Sequence, residues 1–393
     1  MTDTAAQSVV RAPDNGHVSF IELFYDLVFV FTIIQLSHTL AYHYTPIGAL
    51  ETLVLILAVW WGWIYTTWVT NWLNPDSGPV RGMLFVLMFL GLIVSTSIPE
   101  AYGDKGLFFA FDFVGIQVGR SVYTAFLLKG CGHSNARDFM RIAVWMSAAG
   151  VFWVGGAFLD GEARLIAWII ALAIEYSAAI VGFWTPGLGR SKAADWKVNG
   201  AHMAERCALF IIICIGETIL VSGRVFSETA VTAASLAAFA VGFLKTLVLW
   251  WIYFRFGRAR AAHVMTHSDQ TGALARLAFT YAHIPIVVGI IVSAVGTEFL
   301  LAHPYDPASW KEVTALTGGP AIYLVGTLLF KRAVSGRWPL SHGAGVVLLA
   351  AIAIAGQALT PILIGVLAVL ALIIAATMEW ASERRLSSTA TTD

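Results

Sequence analysis

The stretch that decides the fold is Phe20-Ile21-Glu22-Leu23-Phe24-Tyr25-Asp26-Leu27-Val28-Phe29-Val30-Phe31, which continues to Ser37-His38. It is apolar, and it is long enough for a transmembrane helix, which needs roughly 20 residues. Glu22 and Asp26 are four residues apart, so a helix places both carboxylates on one face with the Tyr25 phenol between them. Because carboxylates facing lipid are costly, we predict that this face points into a helix bundle and serves a substrate or ion pathway.

The composition supports a membrane environment for the whole chain. Of 393 residues, 58% are hydrophobic and 12% are charged, whereas a soluble domain carries about 25% charged residues. The mean hydropathy is +0.75, and the formal net charge is zero, so no basic surface indicates nucleic-acid binding. The cysteines Cys131, Cys207 and Cys214 are too few for a disulfide framework or a thiolate metal site. The chain is therefore predicted to be an integral membrane protein whose partners are membrane lipids and a small-molecule or ion substrate.

Hydrophobic stretches of spanning length recur along the chain and predict an all-α polytopic membrane bundle of about twelve transmembrane helices. They lie near residues 20–40, 49–70, 82–99, 107–128, 139–159, 163–184, 203–222, 232–254, 275–301, 317–332, 342–357 and 360–380. The tenth and eleventh stretches are short and rich in glycine, so the sequence leaves open whether they cross the membrane completely.

The distribution of basic residues predicts the orientation of these helices. With a cytoplasmic N-terminus, 18 of the 24 Lys and Arg residues fall in inner loops and tails. The outer loops hold Lys105, Arg164, Arg224 and Lys311, and the spans hold Arg120 and Lys245. This bias agrees with the positive-inside rule. We therefore expect a multi-pass protein of the bacterial inner membrane with both termini in the cytoplasm.

Short internal similarities predict two repeats of six helices in the same orientation. Trp60-Trp61-Gly62-Trp63-Ile64-Tyr65 in the second span resembles Trp250-Trp251-Ile252-Tyr253 in the eighth. Repeats related by an axis along the membrane normal are known among transporters. The predicted organisation is a cytoplasmic tail (1–19), a first repeat (20–184), a cytoplasmic linker (185–200), a second repeat (201–380) and a cytoplasmic tail (381–393).

Three motifs resemble the bacterial low temperature requirement protein A family. They are Glu22-Leu23-Phe24-Tyr25-Asp26-Leu27-Val28-Phe29-Val30-Phe31 followed by Gln35-Leu36-Ser37-His38, then His202-Met203-Ala204-Glu205-Arg206, and Ile215-Gly216-Glu217-Thr218-Ile219-Leu220. The resemblance covers nearly the whole chain. It implies a polytopic inner-membrane protein with a link to growth in the cold or to stress tolerance, and it implies no particular reaction or cofactor.

The second motif begins the second predicted repeat. His202 lies three residues before Glu205 and four before Arg206, so all three share one side of a helix. Repeat symmetry would bring them near Glu22 and Asp26. Two interpretations remain open for this group: a salt-bridged clamp at helix starts, or a relay for protons or cations. Glu22, Asp26, His202 and Glu205 are also the candidate metal ligands.

Further ionisable residues lie deeper in the predicted spans, where each needs a partner. We assign them to the same pathway, either as charge pairs, Arg120 with Glu175 or Lys245 with Asp112, or as conducting groups. They are Asp112, Arg120, Glu175, Lys245 and His283, with His38 and Glu217 near the outer ends of the first and seventh spans.

Two functions are compatible with these residues. The first is a proton- or cation-coupled secondary transporter or ion pathway. The alternative is an intramembrane enzyme acting on a lipid or isoprenoid, in which carboxylates and an imidazole would act as acid and base or would hold a hard divalent metal. No nucleotide-binding loop, HExxH zinc pair or haem-attachment motif is present in the sequence, and the oligomeric state is open.

Overall fold

The computed structural model describes residues 9–12, 16–191, 198–255 and 271–389, except for the side chains of residues 271, 383 and 385–389. Within these residues the regular structure is helical, and β pairing is limited to the isolated bridges Val10–Leu73 and Thr185–Gly189. This confirms the predicted all-α membrane bundle. Parts of the predicted tails and of the linker lie outside the described residues.

The α-helices of the described residues follow in chain order. They are α1 (Phe20–Tyr42), α2 (Pro46–Trp72), α3 (Gly78–Ser97), α4 (Gly106–Val114), α5 (Arg120–Gly130), α6 (Ala136–Ala157), α7 (Gly161–Ile180), α8 (Gly200–Glu228), α9 (Ala233–Phe254), α10 (Thr271–Ala275), α11 (His283–Ala302), α12 (Trp310–Ser335), α13 (Leu340–Ala355) and α14 (Pro361–Thr389). A π-helical turn, Gly115–Gly119, joins α4 to α5, and a second one, Arg276–Tyr281, joins α10 to α11.

Eleven helical segments in the described part of the chain are long and apolar enough to cross a membrane. The predicted fourth span becomes a twelfth when α4, the π turn and α5 are taken as one helical rod. The two uncertain stretches are both of spanning length, since they form the segments Trp310–Ser335 and Leu340–Ala358. The count therefore agrees with about twelve spans.

The chain divides into two compact units. Unit 1 comprises Met1–Arg206 with Met265–Ala275, and unit 2 comprises Cys207–Val264 with Arg276–Asp393. The sequence placed the boundary between its halves in the linker 185–200. A structural repeat relating the halves stays a prediction.

In unit 1, α2 is buried along most of its length and forms the centre of the packing. Trp60, Trp61 and Trp63 are each at most 1% exposed. Trp61 stacks on Tyr176 of α7 with ring centroids 3.9 Å apart. Large aromatic rings therefore fill the interior of unit 1, and the few polar groups among them are enclosed in an apolar surrounding.

In unit 2, α11 and α12 pack with their backbones almost in contact. A Cβ atom on Gly289 would lie 2.4 Å from the backbone nitrogen of Tyr323, and one on Gly326 would lie 2.5 Å from that of Ile286. Only glycine permits this approach, which is a common way for membrane helices to associate.

The predicted orientation can be tested with a reporter that is active only in the periplasm. We expect a fusion after residue 390 to be inactive and a fusion after Ala308 to be strongly active, because the basic loops stay in the cytoplasm. Enzyme activity normalised to fusion-protein level provides the measurement. The opposite pattern would contradict the model with both termini in the cytoplasm.

Candidate functional site

Glu22 lies at the start of α1, where it completes a capping box with Ser19. The backbone nitrogen of Ser19 donates to Glu22 Oε2 at 3.0 Å, and the Glu22 backbone nitrogen donates to Ser19 Oγ at 3.4 Å. Such reciprocal bonds satisfy backbone groups that a helix start leaves free. Arg11 Nη2 also donates to Glu22 Oε2, at 2.9 Å, and both side chains are buried. One carboxylate oxygen of Glu22 is thus fully engaged in local structure.

The other oxygen of Glu22 contacts His202, whose tautomer follows from the hydrogen bonds around it. Asn71 Nδ2 lies 3.1 Å from His202 Nδ1. The amide orientation of Asn71 is fixed by Asn199, whose backbone nitrogen donates to Asn71 Oδ1 and whose carbonyl accepts from Asn71 Nδ2. Asn71 must therefore donate to His202 Nδ1, which leaves the proton on Nε2. His202 is a neutral donor to Glu22 Oε1 at 2.9 Å.

Asp26 is held one helical turn further along α1. Arg206 Nη1 donates to Asp26 Oδ2 at 2.7 Å and to the backbone carbonyl of Glu22 at 2.9 Å. Trp63 Nε1 donates to Asp26 Oδ1 at 2.8 Å, and the Arg206 guanidinium lies 5.4 Å from the Trp63 ring centroid. These contacts link α1 to α2 and to the first turns of α8.

We call this set the Glu22 network. Its members are Arg11, Ser19, Glu22, Asp26, Trp63, Asn71, Asn199, His202 and Arg206. Two guanidinium groups balance two carboxylates, and each of the four carboxylate oxygens accepts at least one hydrogen bond. Arg206 Nε and Nη2 are buried without a hydrogen-bond partner among the described residues, so it is the carboxylates, and not every group of the network, that are fully paired. Removing one partner of such a buried pair is costly.

The four predicted metal ligands do not form a metal centre in the described part of the chain. Among its residues, no group of three or more His, Cys, Asp or Glu side chains is arranged to hold a metal ion. His202 Nδ1 is occupied by Asn71, and both oxygens of Glu22 accept hydrogen bonds from nitrogen donors. Glu205 is only partly buried and makes no hydrogen bond with a described residue. The donor set does not fit a bound metal.

A second set of polar groups lies deeper in unit 1 around Arg120, which is 1% exposed. Arg120 Nη1 donates to the Gly62 carbonyl at 2.8 Å and to Thr66 Oγ1 at 3.1 Å, and Nη2 donates to Gln117 Oε1 at 2.5 Å. The Tyr25 hydroxyl donates to the same Thr66 oxygen at 3.0 Å. The guanidinium is therefore held by uncharged acceptors from α2 and from the π turn before α5.

Glu175 is the carboxylate that the sequence predicts as the partner of Arg120. Its side chain is fully buried, and Oε1 accepts from Trp153 Nε1 at 2.9 Å. Oε2 is buried and has no hydrogen-bond partner among the described residues. The charge of Arg120 and the side-chain amide of Gln117 both lie near enough to act on Glu175, the amide as a nearby hydrogen-bond donor. In the described structure no hydrogen bond reaches Glu175 Oε2 and no ion pair within 4.0 Å joins Glu175 to Arg120. Arg120 and Glu175 therefore do not form the predicted direct ion pair in the described structure, and Glu175 Oε2 accepts no hydrogen bond from a described residue.

The remaining predicted residues are distributed over both units. In unit 1, Asp112 is partly buried and forms no ion pair with a described residue, and His38 is partly buried in α1. In unit 2, Glu217 is 1% exposed in α8. Lys245 Nζ donates to the Ser293 carbonyl at 2.6 Å and to Thr297 Oγ1 at 2.5 Å. The structure does not pair Lys245 with any carboxylate among the described residues.

His283 is a fully hydrogen-bonded core residue of unit 2. Its Nδ1 lies 2.8 Å from the Ala278 carbonyl, so Nδ1 carries the proton, and Nε2 accepts from the Tyr253 hydroxyl at 2.8 Å. The π turn Arg276–Tyr281 contributes the Ala278 carbonyl. This arrangement makes His283 a structural link between α9 and the start of α11.

The family follows from comparison with known proteins. Residues 17–377 match the bacterial low temperature requirement A protein family, LtrA. The chain belongs to the LtrA family. An uncharacterized protein of Rhizobium meliloti (strain 1021) is 39% identical over 338 residues, which cover 86% of this chain and 83% of that relative. No solved structure matches the chain. LtrA membership confirms the resemblance carried by the three motifs and, with the many spanning helices, supports a multi-pass inner membrane protein.

This LtrA chain also contains a buried ionic group in unit 2 that the sequence interpretation missed. Lys331 Nζ donates to both oxygens of Glu379, at 2.7 and 2.6 Å. It also lies 3.2 Å from His342 Nε2, which must accept because an ammonium only donates. All three residues lie near the ends of predicted spans, where basic and acidic residues look like loop residues. No sequence signal separates them from ordinary flanking charges.

Proposed function

We propose that this LtrA protein is a proton-coupled secondary transporter in which Glu175 takes up and releases the proton. The observation that carries the proposal is the half-satisfied carboxyl group of Glu175. It is enclosed in unit 1, and one of its oxygens has no donor among the described residues. A buried carboxylate oxygen without a donor is costly when charged. Protonation of that oxygen removes the charge without breaking the hydrogen bond from Trp153.

The contrast with the Glu22 network supports a different role for Glu175. Every carboxylate oxygen of that network accepts a hydrogen bond, and its charges balance. A proton added to either carboxylate there would weaken hydrogen bonds and ion pairs that its oxygens already accept, so that network is better suited to fastening helices than to carrying protons. Intramembrane carboxylates that are incompletely paired are characteristic of proton relays.

Arg120 supplies the means of coupling in this proposal. Its charge is permanent, and uncharged acceptors of α2 and of the π turn hold it. When Glu175 is ionised it attracts Arg120, and when Glu175 is protonated this attraction disappears. A change in protonation can therefore shift the balance between two conformations, which is how a proton gradient drives transport. A π turn directly before Arg120 agrees with this role, because such turns are frequent at functional sites.

The transported substrate would be a small molecule or an ion, and the family name suggests that its transport matters for growth in the cold. The alternative, an enzyme acting on a lipid or isoprenoid, has less support. Three of its four proposed acid, base or metal groups, Glu22, Asp26 and His202, lie in the Glu22 network, where all four carboxylate oxygens are already engaged. The fourth, Glu205, lies outside that network.

The proposal predicts the behaviour of Glu175→Gln, which keeps the shape of the side chain and removes its titratable proton. In purified wild-type protein we expect an infrared carboxyl C=O band that titrates with pH, and we expect Glu175→Gln to lack it. In vesicles reconstituted with the full chain and given an inward proton gradient, we expect Glu175→Gln to reduce protein-dependent proton entry at least about tenfold, as expected for loss of an acid–base group.

Glu162→Gln is the matched control, because Glu162 is exposed in the first turn of the same helix. We expect it to keep both the infrared band and proton entry. If Glu175→Gln retains the titrating band, or moves protons as fast as the wild type, Glu175 is not the proton site and the proposal fails.

A further inference from the structure

Apart from its two buried networks, unit 1 contains a pocket with a volume of about 1250 Å³ at the adjoining ends of α5 and α6. A folded segment before α8 forms another wall, and Arg141 Nε holds that segment against α6 by donating to the Leu188 carbonyl at 3.0 Å. The segment turns back on itself through the bridge between Thr185 and Gly189. The pocket is thus formed by ordered backbone at one end of the spanning helices.

The lining of this pocket carries an excess of positive charge. Lys129, Arg137 and Arg190 are exposed, and none of them forms a hydrogen bond or ion pair with a described residue. The fourth cation, Arg141, pairs with Asp138, the acidic residue of the lining. Three cations that no described residue neutralises therefore surround one open volume, and they attract an anion.

The N-terminal end of α6 also borders this pocket. Asn135 occupies the N-cap position of α6 and makes no side-chain cap hydrogen bond. Asn135, Ala136 and Arg137 all line the pocket. The backbone nitrogens of Asn135, Ala136 and Asp138 already donate to His133 and Asn135, so the helix start contributes chiefly its dipole, which favours a phosphate group. Both features, the cations and the helix start, select for the same ligand chemistry.

An apolar wall continues from the charged part of the pocket along the spanning helices. It includes Val122 and Phe126 of α5 and Met140 of α6, which are 44%, 71% and 42% exposed. These helices are surrounded by acyl chains when the protein is in a bilayer. A ligand with both a phosphate and acyl chains would match the two parts of the pocket, whereas a soluble anion would use only one.

We propose that this pocket binds an anionic phospholipid, with the headgroup phosphate near Lys129, Arg137 and Arg190 and an acyl chain against Phe126. Basic pockets between transmembrane helices are suited to anionic headgroups. The proposal is independent of the proton site, because no pocket residue belongs to the Glu22 network or contacts Glu175 through a hydrogen bond.

The test uses phosphatidylglycerol as the probe and the purified full-length protein in detergent, with bound lipid measured by native mass spectrometry. We expect the wild type to bind phosphatidylglycerol more tightly than phosphatidylcholine. In the triple variant Lys129→Gln, Arg137→Gln, Arg190→Gln we expect affinity for phosphatidylglycerol to fall on the order of 100-fold, since each cation near the membrane surface contributes about fivefold. These side chains are exposed, so the variant should fold normally.

The matched control is a triple variant that removes three exposed charges elsewhere: Lys105→Gln, Lys311→Gln, Arg337→Gln. It should bind phosphatidylglycerol like the wild type. Equal binding by the two triple variants would overturn the proposal. Inorganic phosphate at millimolar concentration should displace little phosphatidylglycerol, because it makes no apolar contact. Complete displacement, or tight binding of phosphate alone, would show a site for soluble anions and would also overturn the proposal.

Discussion

Replacing Arg206 by glutamine is expected to lower the free energy of unfolding by about 3–5 kcal/mol. Arg206 donates to Asp26 and to the backbone of α1, and its side chain is fully buried. Without it, Asp26 keeps only the hydrogen bond from Trp63, and two buried carboxylates share the single charge of Arg11. Breaking one partner of a buried ion pair leaves an uncompensated charge, which is much more destabilising than losing a surface pair.

The measurement is thermal or denaturant unfolding of the purified protein in one detergent, followed by tryptophan fluorescence. Glu205→Gln is the matched control, since Glu205 is the preceding residue of the same helix and has no ion pair in the described structure. We expect Glu205→Gln to change the free energy of unfolding by less than about 0.5 kcal/mol. Similar stabilities for the two variants would contradict the structural role of the Glu22 network.

A second comparison separates charge from packing in the same network. In the double variant Asp26→Asn, Arg206→Gln, both members of the ion pair become neutral amides of similar size. We expect it to be more stable than Arg206→Gln alone, because no buried carboxylate at position 26 remains without its cation. Stability that falls additively would show that Arg206 acts through packing on Trp63 rather than through Asp26.

The fold class was predictable because it depends on properties that are local in the sequence. A span needs about 20 apolar residues, and most of the predicted stretches meet that requirement on their own, the tenth and eleventh being the short exceptions. What the sequence did not show is the interruption of the fourth span by the π turn Gly115–Gly119. One extra residue within a helix leaves hydrophobicity unchanged, so an analysis based on hydropathy does not detect it.

The candidate site was predictable only in part, for a related reason. Glu22, Asp26, His202 and Arg206 stand out because ionisable groups are rare in apolar helices, and the structure places all four together. Their partners Asn71 and Trp63 gave no signal of their own, because an amide or an indole at the end or centre of a span is common. Which neutral residue hydrogen-bonds to a buried charged group depends on how the helices pack. Local sequence patterns do not reveal that packing.

The same limit explains why charged residues near helix ends were misjudged. Lys331 was counted among the basic residues of the inner loops, yet it is 8% exposed and bonded to Glu379. The positive-inside rule uses the number of basic residues near helix ends and not their direction. A lysine that turns inward to a carboxylate and one that extends to the phosphate groups of the membrane contribute equally to that count.

Glu379→Gln is accordingly expected to destabilise unit 2 by about 3–5 kcal/mol, because it removes the carboxylate that binds the buried ammonium of Lys331 through both oxygens. Both oxygens of Glu379 accept from Lys331, and the residue is 7% exposed. His342 cannot compensate, since its Nε2 is a neutral acceptor in this arrangement. Denaturant unfolding of the full-length protein measures the loss.

The double variant Lys331→Met, Glu379→Leu provides the control, because it removes both charges while keeping comparable apolar volume. Replacing a buried ion pair with well-packed apolar residues is often neutral for stability, so we expect the double variant to unfold at nearly the wild-type denaturant concentration. If it is as unstable as Glu379→Gln, the loss comes from packing of α12 against α14 and not from an unpaired charge. Wild-type stability in the double variant would show that the loss in Glu379→Gln comes from a buried charge without its partner. Apolar residues could then replace the ion pair as a whole.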